Sequence, residues 1–105
     1  MADFSLSDLD AVISDRRSAT ATKSYTRSLL DKGPVGCAKK FGEEAVEFVI
    51  AATQGDVKSV TAEAADVLYH LLVALHACDV PLQNVLQELG RRTQSSGHEE
   101  KASRS

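Results

Sequence analysis

The chain has 105 residues, of which 43% are hydrophobic and 5% aromatic, and its formal net charge is −3. This length accommodates one domain, the hydrophobic content excludes a largely disordered chain, and the acidic balance argues against nucleic acid as a partner. Because aromatic residues are few and tryptophan is absent, the core is expected to consist of aliphatic side chains on packed helices.

The first predicted helix covers about residues 6 to 17. Ser5 and Asp8 resemble a capping box in which Asp replaces the usual Glu, and the aliphatic residues that follow recur at helical spacing. Residues 18 to 36 are predicted to form a loop, with Gly33 and Pro34 as a turn signal and a short helical turn around residues 25 to 30. A loop of this length is usually functional or disordered.

Two long helices are predicted next, one from about Gly36 to Gln54 and one that continues to about Cys78. Gly55 is placed to end the first of them, and Asp56 is placed to cap the second. Since the connection is so short, the two helices are expected to form an antiparallel hairpin.

A fourth long helix is predicted from Pro81 to near Arg92, and the chain beyond it is polar. We therefore divide the sequence into an all-α domain, residues 1 to 95, and a polar C-terminal tail, residues 96 to 105. The expected fold is a bundle of four to five helices around the antiparallel hairpin. Because a chain of this size buries a small share of its surface, dimerisation is expected to complete the bundle.

The expected compartment is the cytoplasm, and no membrane partner is expected. The N-terminal residues include neither a basic segment nor an apolar one of the kind found in signal peptides, and no uncharged run approaches the roughly 18 residues that cross a bilayer. Cys37 and Cys78 are far apart in sequence, so we expect two reduced thiols rather than a disulfide.

Acidic residues interrupt both long helices at helical spacing. Glu43, Glu44 and Glu47 lie in the first of them, and Glu63 and Asp66 lie in the second. Residues three or four positions apart share a helix face, so each helix presents one acidic pair that can converge on an ion. Two carboxylates about 4 Å apart repel by roughly 4 kcal/mol at an effective dielectric constant near 20, and oxygen ligands suit Mg²⁺ or Mn²⁺ rather than zinc.

The residues around the first acidic pair favour a buried setting. Phe41 and Phe48 lie on one side of that helix and Val46 and Val49 on the other, so both flanks are expected to be covered. A solvated acidic stripe remains the alternative, since like charges on an exposed helix cost only about 0.2–0.5 kcal/mol per pair.

The order Glu-Glu-x-x-Glu, a spacer of 15 residues and Glu-x-x-Asp resembles the all-α nucleoside triphosphate pyrophosphatase superfamily, the MazG-like group. The flanking sequence narrows the resemblance to one member, the phosphoribosyl-ATP pyrophosphohydrolase family of histidine biosynthesis. The segments that carry it span most of the chain and are Ser24–Thr26, Lys32–Gly33, Lys40–Glu47, Glu63–His70 and Ser96–Ser103.

This resemblance implies the hydrolysis of 1-(5-phosphoribosyl)-ATP to 1-(5-phosphoribosyl)-AMP and pyrophosphate by a cytoplasmic homodimer that requires Mg²⁺, with Mn²⁺ as a substitute. The metal is then expected to bind to Glu44, Glu47, Glu63 and Asp66. Glu43 is expected either to complete the metal shell or to orient the attacking water.

Basic and hydroxyl-bearing residues at family-like positions are expected to contact the phosphates and ribose of the substrate. The predicted substrate-binding residues are Lys23, Ser24, Tyr25, Lys32, Lys40 and Lys101. The tail that contains the last of these lysines is expected to fold over the substrate or onto the partner subunit.

Two alternative functions stay open. The first is a house-cleaning dNTP pyrophosphatase that uses the same acidic motif on another nucleotide. The second is a non-catalytic helical dimerisation module whose acidic face is solvated or binds a basic partner.

Overall fold

The computed structural model describes residues 3–20 and 24–94, and all regular structure in these ranges is helical. The all-α prediction is therefore confirmed. The predicted tail lies outside the described residues, as do Lys23 and Lys101. The helices are α1 (Leu6–Arg16), α2 (Tyr25–Leu30), α3 (Gly33–Gln54), α4 (Val57–Ala77) and α5 (Leu82–Arg92).

Local side-chain contacts fix several helix ends. The Asp8 backbone N–H donates to Ser5 Oγ at 3.0 Å, and the Ser5 N–H donates to Asp8 Oδ2 at 2.9 Å, which confirms the capping box at the start of α1. Gly55 ends α3 with a φ of 76°, a conformation that glycine adopts without steric cost. Asp56 then accepts a hydrogen bond from the Ser59 N–H and caps α4.

The α3–α4 hairpin forms the centre of the fold, as predicted, and the short helix α2 is also present. The loop before α3 is shorter than predicted, because α3 begins at Gly33 rather than at Gly36. Pro34 was interpreted as part of a turn, but proline is equally suited to the first turn of a helix, where its backbone nitrogen needs no hydrogen-bond partner.

Each helix contributes at least one side chain to a single small core. Cys37 is part of it, and its thiol donates to the backbone carbonyl of Leu29 at 3.0 Å. Burial raises the pKa of the Cys37 thiol, so this cysteine has a structural role. The buried core residues are Ile13, Leu29, Cys37, Leu72, Val73 and Leu82.

One aliphatic flank of α3 remains exposed in the single chain. Val46, Val49 and Ile50 keep 58%, 57% and 51% of their surface accessible. The expectation that both flanks of this helix are covered is therefore not met within one chain, since the periodicity of a sequence does not reveal whether a helix face packs inside its own chain or elsewhere.

The ends of α1 and α4 are joined by polar contacts. His76 Nε2 lies 2.8 Å from Asp10 Oδ1, and Arg17 Nη1 lies 3.3 Å from His76 Nδ1. Beyond this point α4 and α5 are bent by 114° relative to each other. Within the described ranges no single helix is long and apolar enough to span a membrane. Taken as a pair, the bent helices α4 and α5 reach the required length and composition.

Candidate metal centre

Three carboxylates from the two helices of the hairpin converge on one point. Glu44 of α3 and Glu63 and Asp66 of α4 each place one oxygen within 4.8 Å of the oxygens of the other two. The antiparallel connection through Gly55 and Asp56 brings these positions to the same height. We call these three residues the carboxylate cluster.

The inner part of the carboxylate cluster is shielded from water. Glu44 is only 8% exposed, and Glu63 Oε2 is fully buried and accepts no hydrogen bond from the described residues. A buried carboxylate oxygen without a partner is costly unless a proton or a cation compensates it. Since all the ligand atoms are oxygens at close spacing, the residues present fit a hard divalent cation.

Lys40 neutralises one side of the carboxylate cluster. Its Nζ lies 3.1 Å from Glu44 Oε1 and 3.8 Å from Glu43 Oε2. The hydrogen bond to Glu44 raises the pKa of Lys40. Burial opposes ionisation of Glu44, but the hydrogen bonds with Lys40 and Glu47 outweigh it and lower the pKa of Glu44. Glu44 is therefore held in the anionic form that a metal ligand requires.

Glu47 lies at the rim of the carboxylate cluster. Its hydrogen bond with Glu44, followed by the Glu44 charge, raises the pKa of Glu47, and the charge of Glu63 acts in the same direction. Glu47 and Glu63 also line one pocket of about 300 Å³. Two carboxyl groups in such contact share a proton or a cation. Glu47 is therefore a neighbour of the carboxylate cluster and not one of its three members.

Glu43 faces away from the convergence point, toward a basic pocket. This pocket has a volume of about 240 Å³ and is lined by Lys32, Gly36, Lys39, Lys40 and Glu43. Lys39 is not among the residues predicted to bind the substrate, although positions 36, 39 and 43 follow the spacing of one stripe of α3. The pocket lies beside the carboxylate cluster, because Lys40 lines the pocket and its Nζ lies 3.1 Å from Glu44 of the cluster.

Aromatic rings of α2 and α4 cover another side of the site. The Tyr25 ring lies nearly parallel to that of Tyr69, with 6.4 Å between centroids and 15° between planes, and meets the edge of His70 at 6.2 Å. His70 is 5% exposed, and its pKa is lowered by burial despite the opposing charges of Glu44 and Asp66. Ser24 Oγ accepts a hydrogen bond from the Arg27 backbone N–H at 3.2 Å and thereby caps α2.

Comparison with known proteins gives a consistent result over the length of the chain. A family model described as phosphoribosyl-ATP pyrophosphohydrolase matches residues 6–93. A phosphoribosyl-ATP pyrophosphatase of Azorhizobium caulinodans is 58% identical over 99 residues, which cover 94% of this chain and 91% of the relative. A protein with the same name from Roseobacter denitrificans is 57% identical over 101 residues, which cover 96% of this chain and 96% of the relative. Another from Rhizobium johnstonii is 53% identical over 104 residues, which cover 99% of this chain and 97% of the relative. The matched range includes all five helices and the whole carboxylate cluster.

Proposed function

The chain belongs to the phosphoribosyl-ATP pyrophosphohydrolase family, and on that premise we propose that it hydrolyses 1-(5-phosphoribosyl)-ATP to 1-(5-phosphoribosyl)-AMP and pyrophosphate. This reaction is the second step of histidine biosynthesis. The observation that supports it in this chain is the carboxylate cluster within the matched range, with a buried Glu63 oxygen that has no hydrogen-bond partner among the described residues.

The proposed ligands of the metal are Glu44, Glu63 and Asp66, with Glu47 as the fourth. A Mg²⁺ ion, or Mn²⁺ in its place, supplies positive charge to the phosphoanhydride oxygens when it is bound there. Lys40 keeps Glu44 ionised, and the hairpin holds the carboxylates in position before substrate arrives. This arrangement reduces the reorganisation that binding and reaction require.

Glu43 is proposed to orient the attacking water and to accept its proton. Its carboxylate does not take part in the three-residue convergence, and it is exposed beside Lys40, where it can accept a hydrogen bond from a water at the edge of the site. A carboxylate in this position is a suitable general base when the attacking water lies within reach to donate a hydrogen bond to it.

The basic pocket is proposed to hold substrate phosphates. Lys32, Lys39 and Lys40 supply three ammonium groups around about 240 Å³, and charge-assisted hydrogen bonds to phosphate are short and strong. Tyr25 and Ser24 border the site, and Ser24 acts there mainly by capping α2. Lys23 and Lys101, which lie outside the described residues, remain proposed contacts to the substrate.

We also propose a cytoplasmic homodimer in which the exposed flank of α3 packs against a second copy. The apolar face is formed by Val46, Val49 and Ile50 on α3, the helix that also carries Glu44. A protein with a small core gains stability by burying such a face. Val49→Asp should convert the dimer to a monomer in light-scattering measurements. Val57→Asp, which changes an exposed valine at the hairpin tip, should leave the dimer intact. A wild-type protein that is monomeric at micromolar concentration would contradict this assembly.

The direct test is pyrophosphate release from enzymatically generated phosphoribosyl-ATP, with and without Mg²⁺, beside ATP, dUTP and dCTP. We expect Mg²⁺-dependent release from phosphoribosyl-ATP in the wild type and in Asp15→Asn, which removes an exposed carboxylate that belongs neither to the carboxylate cluster nor to the basic pocket. We expect no release in Asp66→Asn. Release from dUTP or dCTP alone would assign the chain to the house-cleaning enzymes. Absence of release from all four would favour a non-catalytic module.

A further inference from the structure

Tyr25 presents a large aromatic face to solvent at the edge of the metal centre. The residue is 58% exposed although it is the first residue of α2 and its neighbour Thr26 is only 1% exposed. A ring of this size normally buries most of its apolar surface. The exposed face is therefore a candidate contact for a planar apolar group.

The orientation of the Tyr25 ring is set by the residues behind it. Tyr69 lies almost parallel to it, and His70 meets it edge-on at an interplanar angle of 90°. Tyr69 is itself fixed, because its hydroxyl and the Thr26 hydroxyl are hydrogen-bonded at 2.5 Å. A ring held in this way loses little conformational entropy when a ligand stacks on it.

The ring also lies close to the carboxylate cluster. It meets His70 edge-on at 6.2 Å, and His70 follows Asp66 by one turn of α4 and shares its helix face. Lys40 of the basic pocket lies 3.1 Å from Glu44 of the same cluster. A ligand whose phosphates occupy the cation site and the basic pocket would therefore carry its base into the neighbourhood of the Tyr25 face.

We propose that the exposed face of Tyr25 stacks on the purine ring of the substrate and supplies much of the affinity for its base. This inference depends on the proposed function for the identity of the ligand. Stacking of one base on an aromatic side chain corresponds to roughly ten- to hundredfold in affinity. The purine of phosphoribosyl-ATP carries its second ribose at N1, which makes it a stronger base than adenine. Its protonated form is a flat cation that an aromatic face attracts.

The first test separates the base from the phosphates. ATP and inorganic triphosphate are used as competitive inhibitors of phosphoribosyl-ATP hydrolysis by the wild type, Tyr25→Ala and Tyr25→Phe. Tyr25→Ala should raise the KM of the substrate and the Ki of ATP at least tenfold, with a smaller change in kcat and an unchanged Ki for triphosphate. Tyr25→Phe should restore both constants. Leu89→Ala, which trims a side chain on α5 that is 51% exposed, is the matched control.

The second test is independent of turnover. The chain contains two tyrosines and no tryptophan, so Tyr69→Phe leaves Tyr25 as the single tyrosine, whose fluorescence is excited at wavelengths where phenylalanine does not absorb. ATP in metal-free buffer should quench this fluorescence saturably in Tyr69→Phe and should not do so in Tyr25→Phe.

Two results would overturn the stacking role of Tyr25. Equal losses for ATP and triphosphate in Tyr25→Ala would place the phenol on the phosphates, and unchanged constants with no quenching would remove Tyr25 from the ligand contacts. The proposed function fails separately: a wild type that binds ATP with quenching but releases no pyrophosphate would contradict the reaction and leave the stacking contact standing.

Discussion

Replacing Glu63 by Gln should stabilise the protein without metal and abolish its response to Mg²⁺. One Glu63 carboxylate oxygen lies within 4.8 Å of an oxygen of Glu44 and of an oxygen of Asp66. In residues 3–20 and 24–94, Glu63 Oε2 finds no hydrogen-bond donor. The amide removes that charge and adds an N–H₂ group that can donate to the neighbouring carboxylates. The same change removes one proposed ligand, so catalysis and metal binding should be lost while folding improves.

The size of this effect follows from the separation of the charges. At 4.8 Å and an effective dielectric constant near 20, each pair of carboxylates repels by about 3.5 kcal/mol. Asp66 is exposed to water, which screens its part of this repulsion. We therefore expect a gain of about 1–2 kcal/mol, or a rise in Tm of about 5–10 °C for a chain of this length.

Thermal unfolding followed by circular dichroism at fixed protein concentration measures both effects. In EDTA, Glu63→Gln should melt above the wild type. In 10 mM Mg²⁺ the wild type should gain about 1.4 kcal/mol if its Kd is about 1 mM, and the variant should gain nothing. Asp15→Asn, with the same change of charge at an exposed position of α1, should keep the wild-type response. A variant that melts below the wild type in EDTA and is still stabilised by Mg²⁺ would refute the reasoning.

Three further predictions concern stability. The two arginines that end α5 lower the pKa of Glu88 from its usual 4.5 to about 2. The ionised Glu88 should therefore contribute stability that is lost as the pH falls from 4.5 to 2, and Glu88→Gln should make the Tm less dependent on pH in that range. Thr26→Val leaves the Tyr69 hydroxyl without its partner and should cost about 1–2 kcal/mol in urea denaturation, most of it recovered by adding Tyr69→Phe. Gly36→Ala places a Cβ 2.5 Å from a lysine Cβ one turn earlier and should cost about 1 kcal/mol. In the control Gly90→Ala the added Cβ has no atom of the described residues within 4 Å apart from its chain neighbours and the backbone of its own helix, and this variant should be up to about 1 kcal/mol more stable than the wild type. A higher Tm for Gly36→Ala than for Gly90→Ala would contradict the packing argument.

Sequence reasoning succeeded where the determining contacts are local. Ser5 and Asp8 are three residues apart, and Gly55 and Asp56 are adjacent, so capping chemistry alone predicted the start of α1 and the hairpin. The acidic spacing within each helix, combined with the short connection, was also sufficient to indicate that α3 and α4 bring carboxylates together. Pro34 was ambiguous because a turn and a first helical turn accept the same residue.

The features that were missed depend on packing between distant residues. Tyr25 and Tyr69 are brought together only when α2 packs on α4, which no helical periodicity encodes. The exposed flank of α3 has the same apolar pattern as a buried one, so sequence could not distinguish Val49 from a core residue. Lys39 lies on one helix stripe with Gly36 and Glu43, but a lysine on such a stripe is also typical of an ordinary solvated face.

The carboxylate cluster has a consequence for the kinetics of folding, because its three members lie on a single hairpin between residues 44 and 66. Contacts at such short sequence separation form early in folding. The repulsion among the carboxylates then opposes the step that closes the hairpin, and a cation that relieves it should increase the folding rate. Weakening the attachment of α1 or α5 should instead act mainly on the unfolding rate.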